Sequence, residues 1–111
     1  MIKINTKNID VRQTVYLSGP MTGLPDYNRE AFNLRAEAFR AAGYAVKNPA
    51  EISAAYGTDK SYGFCFKRAL RMMLECDVVY VFGDVTQSTG VEMELQVARM
   101  SDMPVIWEGG R

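Results

Sequence analysis

An α/β domain with a parallel sheet of strand order 2-1-3-4 and helices on both faces is the fold class this sequence predicts, on three observations. Short apolar, β-branched runs alternate with amphipathic segments of helical spacing in the order β-α-β-α-β-α-β, as in parallel strands joined by crossover helices. The run Val78 to Phe82 is continuously apolar, as a strand covered on both faces has to be. Finally, 111 residues suffice for one core without staples, so residues 1–111 are expected to form a single domain.

The first thirteen residues alternate weakly and read as an irregular lead-in. Thr14 to Ser18 is the first strand, and Gly19 to Asp26, rich in Gly and Pro, is the loop that follows it. Asn28 to Ala42 is the clearest helix: Phe32, Leu34, Ala38 and Phe39 form its apolar stripe, Asp26 or Asn28 can cap it, and Gly43 stops it. Tyr44 to Lys47 is the second strand, closed by Asn48-Pro49. Ala50 to Asp59 reads as an irregular connection, because Gly57 argues against a long helix. Ser61 to Glu75 carries Phe64, Leu70, Met73 and Leu74 at helical spacing. Val78 to Phe82 then runs through the polar loop Asp84 to Thr89 into a helix beginning near Gly90, with Ser88 or Thr89 as N-cap. Pro104 to Trp107 is the fourth strand, and the last four residues read as a loose end.

In such sheets ligands bind beyond the carboxyl ends of the strands, where the winding direction reverses. Here that point lies between the first and third strands, so the loops Gly19 to Asp26 and Asp84 to Thr89 should meet there. Unpaired N–H groups at the following helix N-terminus suit an anion or a polar ligand. Glu94 lies just inside that helix. If Met93, Val97 and Met100 face the sheet, either Glu92 or Glu94 has to lie near the crevice. Asp84 is at the correct end to be a second carboxylate or a turn former, whereas Asp77 starts its strand at the opposite end and reads as structural. Gly19 and Gly90 are turn and cap residues, or positions that let backbone approach a ligand. Tyr16 has a polar tip within reach of the crevice, while Met72, Met73, Met93 and Met100 read as core.

Composition excludes several classes. The chain is 48% hydrophobic and 23% charged, an ordinary globular mixture. Thirteen Lys and Arg balance thirteen Asp and Glu, which speaks against non-specific nucleic-acid binding. With no histidine, and with Cys65 and Cys76 in apolar segments without ligand spacing, neither a metal site nor another cofactor is expected. Two buried free thiols in a reducing cytoplasm are the simpler reading. No signal peptide or membrane-spanning run is read, so a cytoplasmic protein without membrane partners is expected.

Four segments together resemble the phage and bacterial branch of the nucleoside 2-deoxyribosyltransferase-like superfamily. They are Tyr16-Leu17-Ser18-Gly19-Pro20-Met21-Thr22-Gly23, Asn48-Pro49-Ala50-Glu51-Ile52, Cys76-Asp77-Val78-Val79, and Ser88-Thr89-Gly90-Val91-Glu92-Met93-Glu94-Leu95. Val85-Thr86-Gln87-Ser88 with Gly-x-x-x-Glu-Leu from Gly90 is also similar to the 2'-deoxynucleoside 5'-phosphate N-hydrolases. The resemblance implies a flavodoxin-like fold, a homo-oligomer and a small nucleoside or nucleotide as ligand. It implies that Glu94 is the nucleophile attacking the anomeric carbon, that Tyr16 orients it, and that Ser88 contacts a 5'-phosphate, with Gly19, Pro20, Gly90 and Asp84 on the substrate side. Two positions depart from the pattern. Ala69 stands where the family has an aspartate that helps protonate the departing base, and Pro20-Met21-Thr22 replaces the hydrolases' Ser-x-Arg loop. The function expected is N-glycosidic hydrolysis or deoxyribosyl transfer. The alternatives are a non-catalytic nucleotide-binding or regulatory protein on the same fold and an interaction protein whose crevice is filled by side chains.

Overall fold

Four short strands lie parallel in the order β2-β1-β3-β4. In the computed structural model, which describes residues 2–110, they are β1 (Thr14–Ser18), β2 (Ala45–Lys47), β3 (Val78–Val81) and β4 (Val105–Trp107). The helices are α1 (Arg29–Ala41), α2 (Glu51–Tyr56), α3 (Tyr62–Leu74) and α4 (Thr89–Met100), with a 3-10 turn at Pro25–Asn28. The arrangement is the flavodoxin-like sheet with the strand order read from the sequence.

Period-two alternation in the central strands divides the interior into two layers. Val15 and Leu17 of β1, with Val78 and Tyr80 of β3, pack against Phe32, Ala36 and Phe39 of α1. Tyr16, Val79 and Val81 point the other way and join Met73 of α3 with Val91 and Ala98 of α4. Both faces of β1 and β3 are therefore covered, which accounts for the continuous apolar run of β3 and for the buried Val15 to Leu17 stretch of β1.

Several expectations are corrected. Leu34 on α1 and Leu74 on α3 are exposed rather than core, and so are Met93 and Met100 on α4. The inward line of α4 runs through Val91, Glu94 and Ala98. Met93 is one position, about 100°, away from that line, and Met100, the last residue of α4, is two positions, about 200°, from Ala98. Cys65 is only half-buried, whereas Cys76 is buried and its thiol is pushed up to about 12 by desolvation. Residues 51–56 form a short helix, α2, within the expected irregular connection, and Gly57 ends it at φ 97°. Asn28 holds the N-cap position of α1, but its side chain makes no capping bond there. Asn28 instead donates its side-chain amide to the Pro20 carbonyl at 2.9 Å, and Asp26 pairs with Arg29 at 2.8 Å.

The chain after β4 is not loose up to residue 110. The Glu108 N–H donates to the Val81 carbonyl at 2.8 Å, and its carboxylate takes two hydrogen bonds from Arg35 at 3.0 and 2.9 Å. The remaining residue of that expected loose end, Arg111, lies outside the described residues. The lead-in has neither helix nor strand among its described residues but is pinned, since the Asn5 N–H donates to the Tyr80 hydroxyl and its side-chain amide to the Trp107 carbonyl.

At the carboxyl ends of β1 and β3 the start of the Gly19 to Asp26 loop packs against Phe82 and Gly83, the residues that lead into the Asp84 to Thr89 loop. A Cβ on Gly19 would stand 2.7 to 3.0 Å from the ring of Phe82, and one on Gly83 would stand 3.0 Å from the Pro20 ring. Phe82 cannot yield, being buried edge-on against Phe32 at 4.8 Å with the Arg35 guanidinium 4.3 Å over its face. Overpacking at such a position typically costs about 1–3 kcal/mol. Gly19→Ala should therefore lower the unfolding free energy by an amount in that range, read as a lower urea midpoint, and an unchanged midpoint would show that Gly19 and Phe82 are not in this contact.

Candidate active site

The site begins with β1. Tyr16 and Ser18 are two residues apart and so share the face turned toward α4. Both are buried, at 0% and 1% exposure, which places two hydroxyls where an unpaired polar group would be costly. Their partner is Glu94, one turn into α4 and only 6% exposed. The Tyr16 hydroxyl donates to Glu94 Oε2, and the Ser18 hydroxyl donates to Oε1 at 2.7 Å. Glu92 is exposed, which resolves the choice between the two glutamates.

The electrostatics follow from this geometry. Burial raises the Glu94 carboxyl above the ordinary carboxylate range, and the hydrogen bonds from Tyr16 and Ser18 oppose that rise by favouring the anion. Burial also raises the Tyr16 phenol well above its usual value, reinforced by the charge on Glu94, so Tyr16 remains a donor. The arrangement is a desolvated carboxylate held in one orientation by two neutral donors. Such a group can act as a nucleophile or stabilise a developing cation.

The other residues singled out in the sequence lie around this centre in different ways. Ser88 is the N-cap of α4, accepting from the Val91 N–H at 3.2 Å and leaving its own hydroxyl proton free to donate elsewhere. Gly90 is on the first turn of α4, and a Cβ there would stand 3.3 Å from the Tyr62 hydroxyl. Gly19 and Pro20 lie against Phe82 and Gly83, as described above. Asp84 is exposed and closes a turn, accepting from the N–H and the hydroxyl of Thr86 at 3.2 and 2.8 Å, and these bonds hold its carboxyl below the usual range. It is an anion at neutral pH, unsuited to donating a proton. Asp77 accepts from the Thr14 N–H at 2.8 Å at the start of β1, the far end of the sheet. Ala69 is half-buried on α3.

Sequence reasoning missed Ser18 as a site residue. The signal was available, since a hydroxyl two positions after Tyr16 in a strand shares its face. Two broad surface concavities, of about 750 and 630 Å³, lie elsewhere, one around Asp10 and Asp77 and the other between α1 and α2. Glu94 lines neither of them. A buried carboxylate with two donors is the more specific sign of chemistry, because open grooves are common on any surface. No group of three or more Cys, Asp or Glu side chains among the described residues is placed to hold a metal ion.

With this geometry in view, the architecture belongs to the class of doubly wound sheets shared with 2-deoxyribosyltransferases. The chain resembles the solved structure of a 2-deoxyribosyltransferase from the psychrotolerant bacterium Bacillus psychrosaccharolyticus, with a TM-score of 0.67 and 22% identity over 85% of this chain and 70% of that one. At that identity the likeness is one of fold. Residues 13–107 match the family described as Domain of unknown function (DUF4406), and the chain belongs to that family. No curated protein sequence matches it.

A carboxyl whose folded value is raised gives stability that is fully present below its unfolded value and is lost as pH rises through the folded one. Glu94→Gln removes that ionisation, and the amide can still bond the two hydroxyls, which accept as well as donate. The variant should gain on the wild type as pH rises from below the ordinary carboxylate range through the raised Glu94 value, then run parallel to it. Urea unfolding across pH checks this, and parallel curves throughout would mean that Glu94 ionises normally. Ser18→Ala removes a donor that favours the anion and should push the Glu94 carboxyl higher still, read as a later midpoint in a carbon-13 NMR titration.

Proposed function

We propose that the chain handles deoxynucleosides or deoxynucleotides and that Glu94 is the nucleophile of N-glycosidic hydrolysis or deoxyribosyl transfer. The observation carrying this reading is the buried Glu94 carboxylate with one hydroxyl donor on each oxygen. In the first step a Glu94 oxygen bonds to the anomeric carbon as the carbon–nitrogen bond breaks and its electron pair leaves with the base. The oxocarbenium-like transition state is favoured by the adjacent anion. Water or a second base then attacks the glycosyl ester and restores the carboxylate. Tyr16 and Ser18 fix the orientation of the nucleophile and favour its charged form in opposition to its burial. Ala69 offers no proton to the base, so on this reading the proton comes from solvent.

Ser88 supports a ligand with a 5'-phosphate, since its hydroxyl proton and the first N–H groups of α4 are at a helix N-terminus. The similarity to N-hydrolases and to a phage branch adds to this reading. Exposed Leu74, Met93 and Met100 suit a homo-oligomer, and the two free thiols suit a reducing cytoplasm.

A non-catalytic nucleotide-binding protein is the second reading, favoured by the methyl group at Ala69 and by both Glu94 oxygens already being engaged. Incubation with a panel of deoxynucleosides and their 5'-monophosphates, followed by chromatography for free base, separates the two. Base release by the wild type that falls to background in Glu94→Gln is expected. Tight binding without release would favour the second reading, and equal release by wild type and variant would remove Glu94 from the mechanism.

A further inference from the structure

We propose that Tyr62, with Phe66 behind it, is the shelf on which the planar base of the ligand stacks. The inference rests on the reading of Glu94 given above and adds a specificity residue to it. α3 precedes β3 and α4 follows it, so both helices have their N-termini at the carboxyl ends of the strands, around the crevice. Tyr62 opens α3. Its ring lies nearly parallel to that of Phe66, at 10° with 5.8 Å between centroids, so an offset stack is already built on one side. Tyr62 is nevertheless 58% exposed, a large aromatic surface left uncovered at the N-terminus of α3.

The contact with Gly90 links the shelf to the site. Gly90 and Glu94 are four residues apart on one face of α4, about 6 Å along its axis. Long helical side chains reach back over the preceding turn, so Glu94 extends toward the Gly90 end of the helix. A Cβ at Gly90 would stand 3.3 Å from the Tyr62 hydroxyl, so the glycine lets the tip of the ring close on the first turn of α4. With the anomeric carbon at Glu94, a base bonded to that carbon extends a few ångströms, about one helical turn, and comes within reach of the ring. A π-face accepts any base, which fits an aromatic shelf better than a hydrogen-bonding edge.

The test compares Tyr62→Ala, Tyr62→Phe and wild type by steady-state base release on deoxynucleosides and by calorimetric binding of free adenine and cytosine. Tyr62→Ala should raise KM and weaken free-base binding by about 5- to 150-fold, the range for loss of one base–aromatic stack, with kcat changed far less. Tyr62→Phe keeps the ring and should restore both. If kcat falls while KM and free-base affinity hold, or if Tyr62→Phe behaves like Tyr62→Ala, stacking is overturned. A wild type that binds bases through Tyr62 but releases none leaves the shelf standing and fails the glycosidic reading. A wild type that binds no base overturns the shelf whatever the turnover.

Discussion

Burying a carboxylate is the costliest thing this chain does, and much of its architecture follows from doing so at Glu94. Among the described residues Glu94 is the one acidic side chain classed as buried, and an unpaired charge there would cost several kcal/mol. Two hydroxyls from one strand face meet the two oxygens, so the cost is partly offset without a cation. The requirement fixes the rotation of α4 about its axis. Val91 and Ala98 turn inward on the same line as Glu94, and Met93 and Met100 are carried outward, the latter to 88% exposure. It also explains why β1 ends on a buried serine rather than another aliphatic residue.

The opposite face of the sheet supplies the rigidity that such a site needs. Phe82 at the end of β3 is held between Phe32, the Arg35 guanidinium and the backbone at Gly19. Arg35 in turn forks onto Glu108, whose carboxylate also receives the Tyr80 hydroxyl at 3.0 Å. Tyr80 accepts from the Asn5 N–H, so the residues before β1 and after β4 join one network behind the crevice. Both members of the Arg35–Glu108 pair are largely shielded, at 13% and 23% side-chain exposure. Bidentate geometry of that kind holds position better than a surface ion pair does. One layer thus sets the carboxylate and the other sets the loops around it.

How far the sequence reveals this depends on which physical signal each feature leaves. Strand order was legible because hydrophobic runs in strict alternation with helical segments leave few ways to wind a parallel sheet. The Ser88 cap was legible because a serine before an amphipathic run accepts from an N–H three residues on. Outward-facing Leu34, Leu74, Met93 and Met100 were not, since apolar residues also occupy helix flanks and periodicity over three turns tolerates a shift of one position. Nor was the left-handed backbone of Asp26, Tyr27 and Asn28, at φ 50°, 53° and 60°. That conformation is settled by contacts that no local propensity records. Asn28 takes the N-cap position read for it but makes no capping bond, because its amide closes the loop onto Pro20.

That loop is the adaptable part of the site. Three consecutive non-glycine residues in the left-handed region cost on the order of 1–3 kcal/mol each. They are held by backbone bonds from the Tyr27 N–H to the Leu24 carbonyl at 3.0 Å and from the Arg29 N–H to the Asp26 carbonyl, by the Asn28 bond to Pro20 and by the exposed Asp26–Arg29 pair, and none of the three residues is buried. The other wall of the crevice, β1 and the first turn of α4, is held by buried bonds and close packing. A ligand entering between the two walls would therefore meet a fixed carboxylate on one side and a strained loop on the other. The strain favours rearrangement of the loop, with Tyr27 exposed at its tip, over displacement of Glu94. In this molecule precision is built into the strand and helix, and accommodation is left to the segment that links β1 to α1.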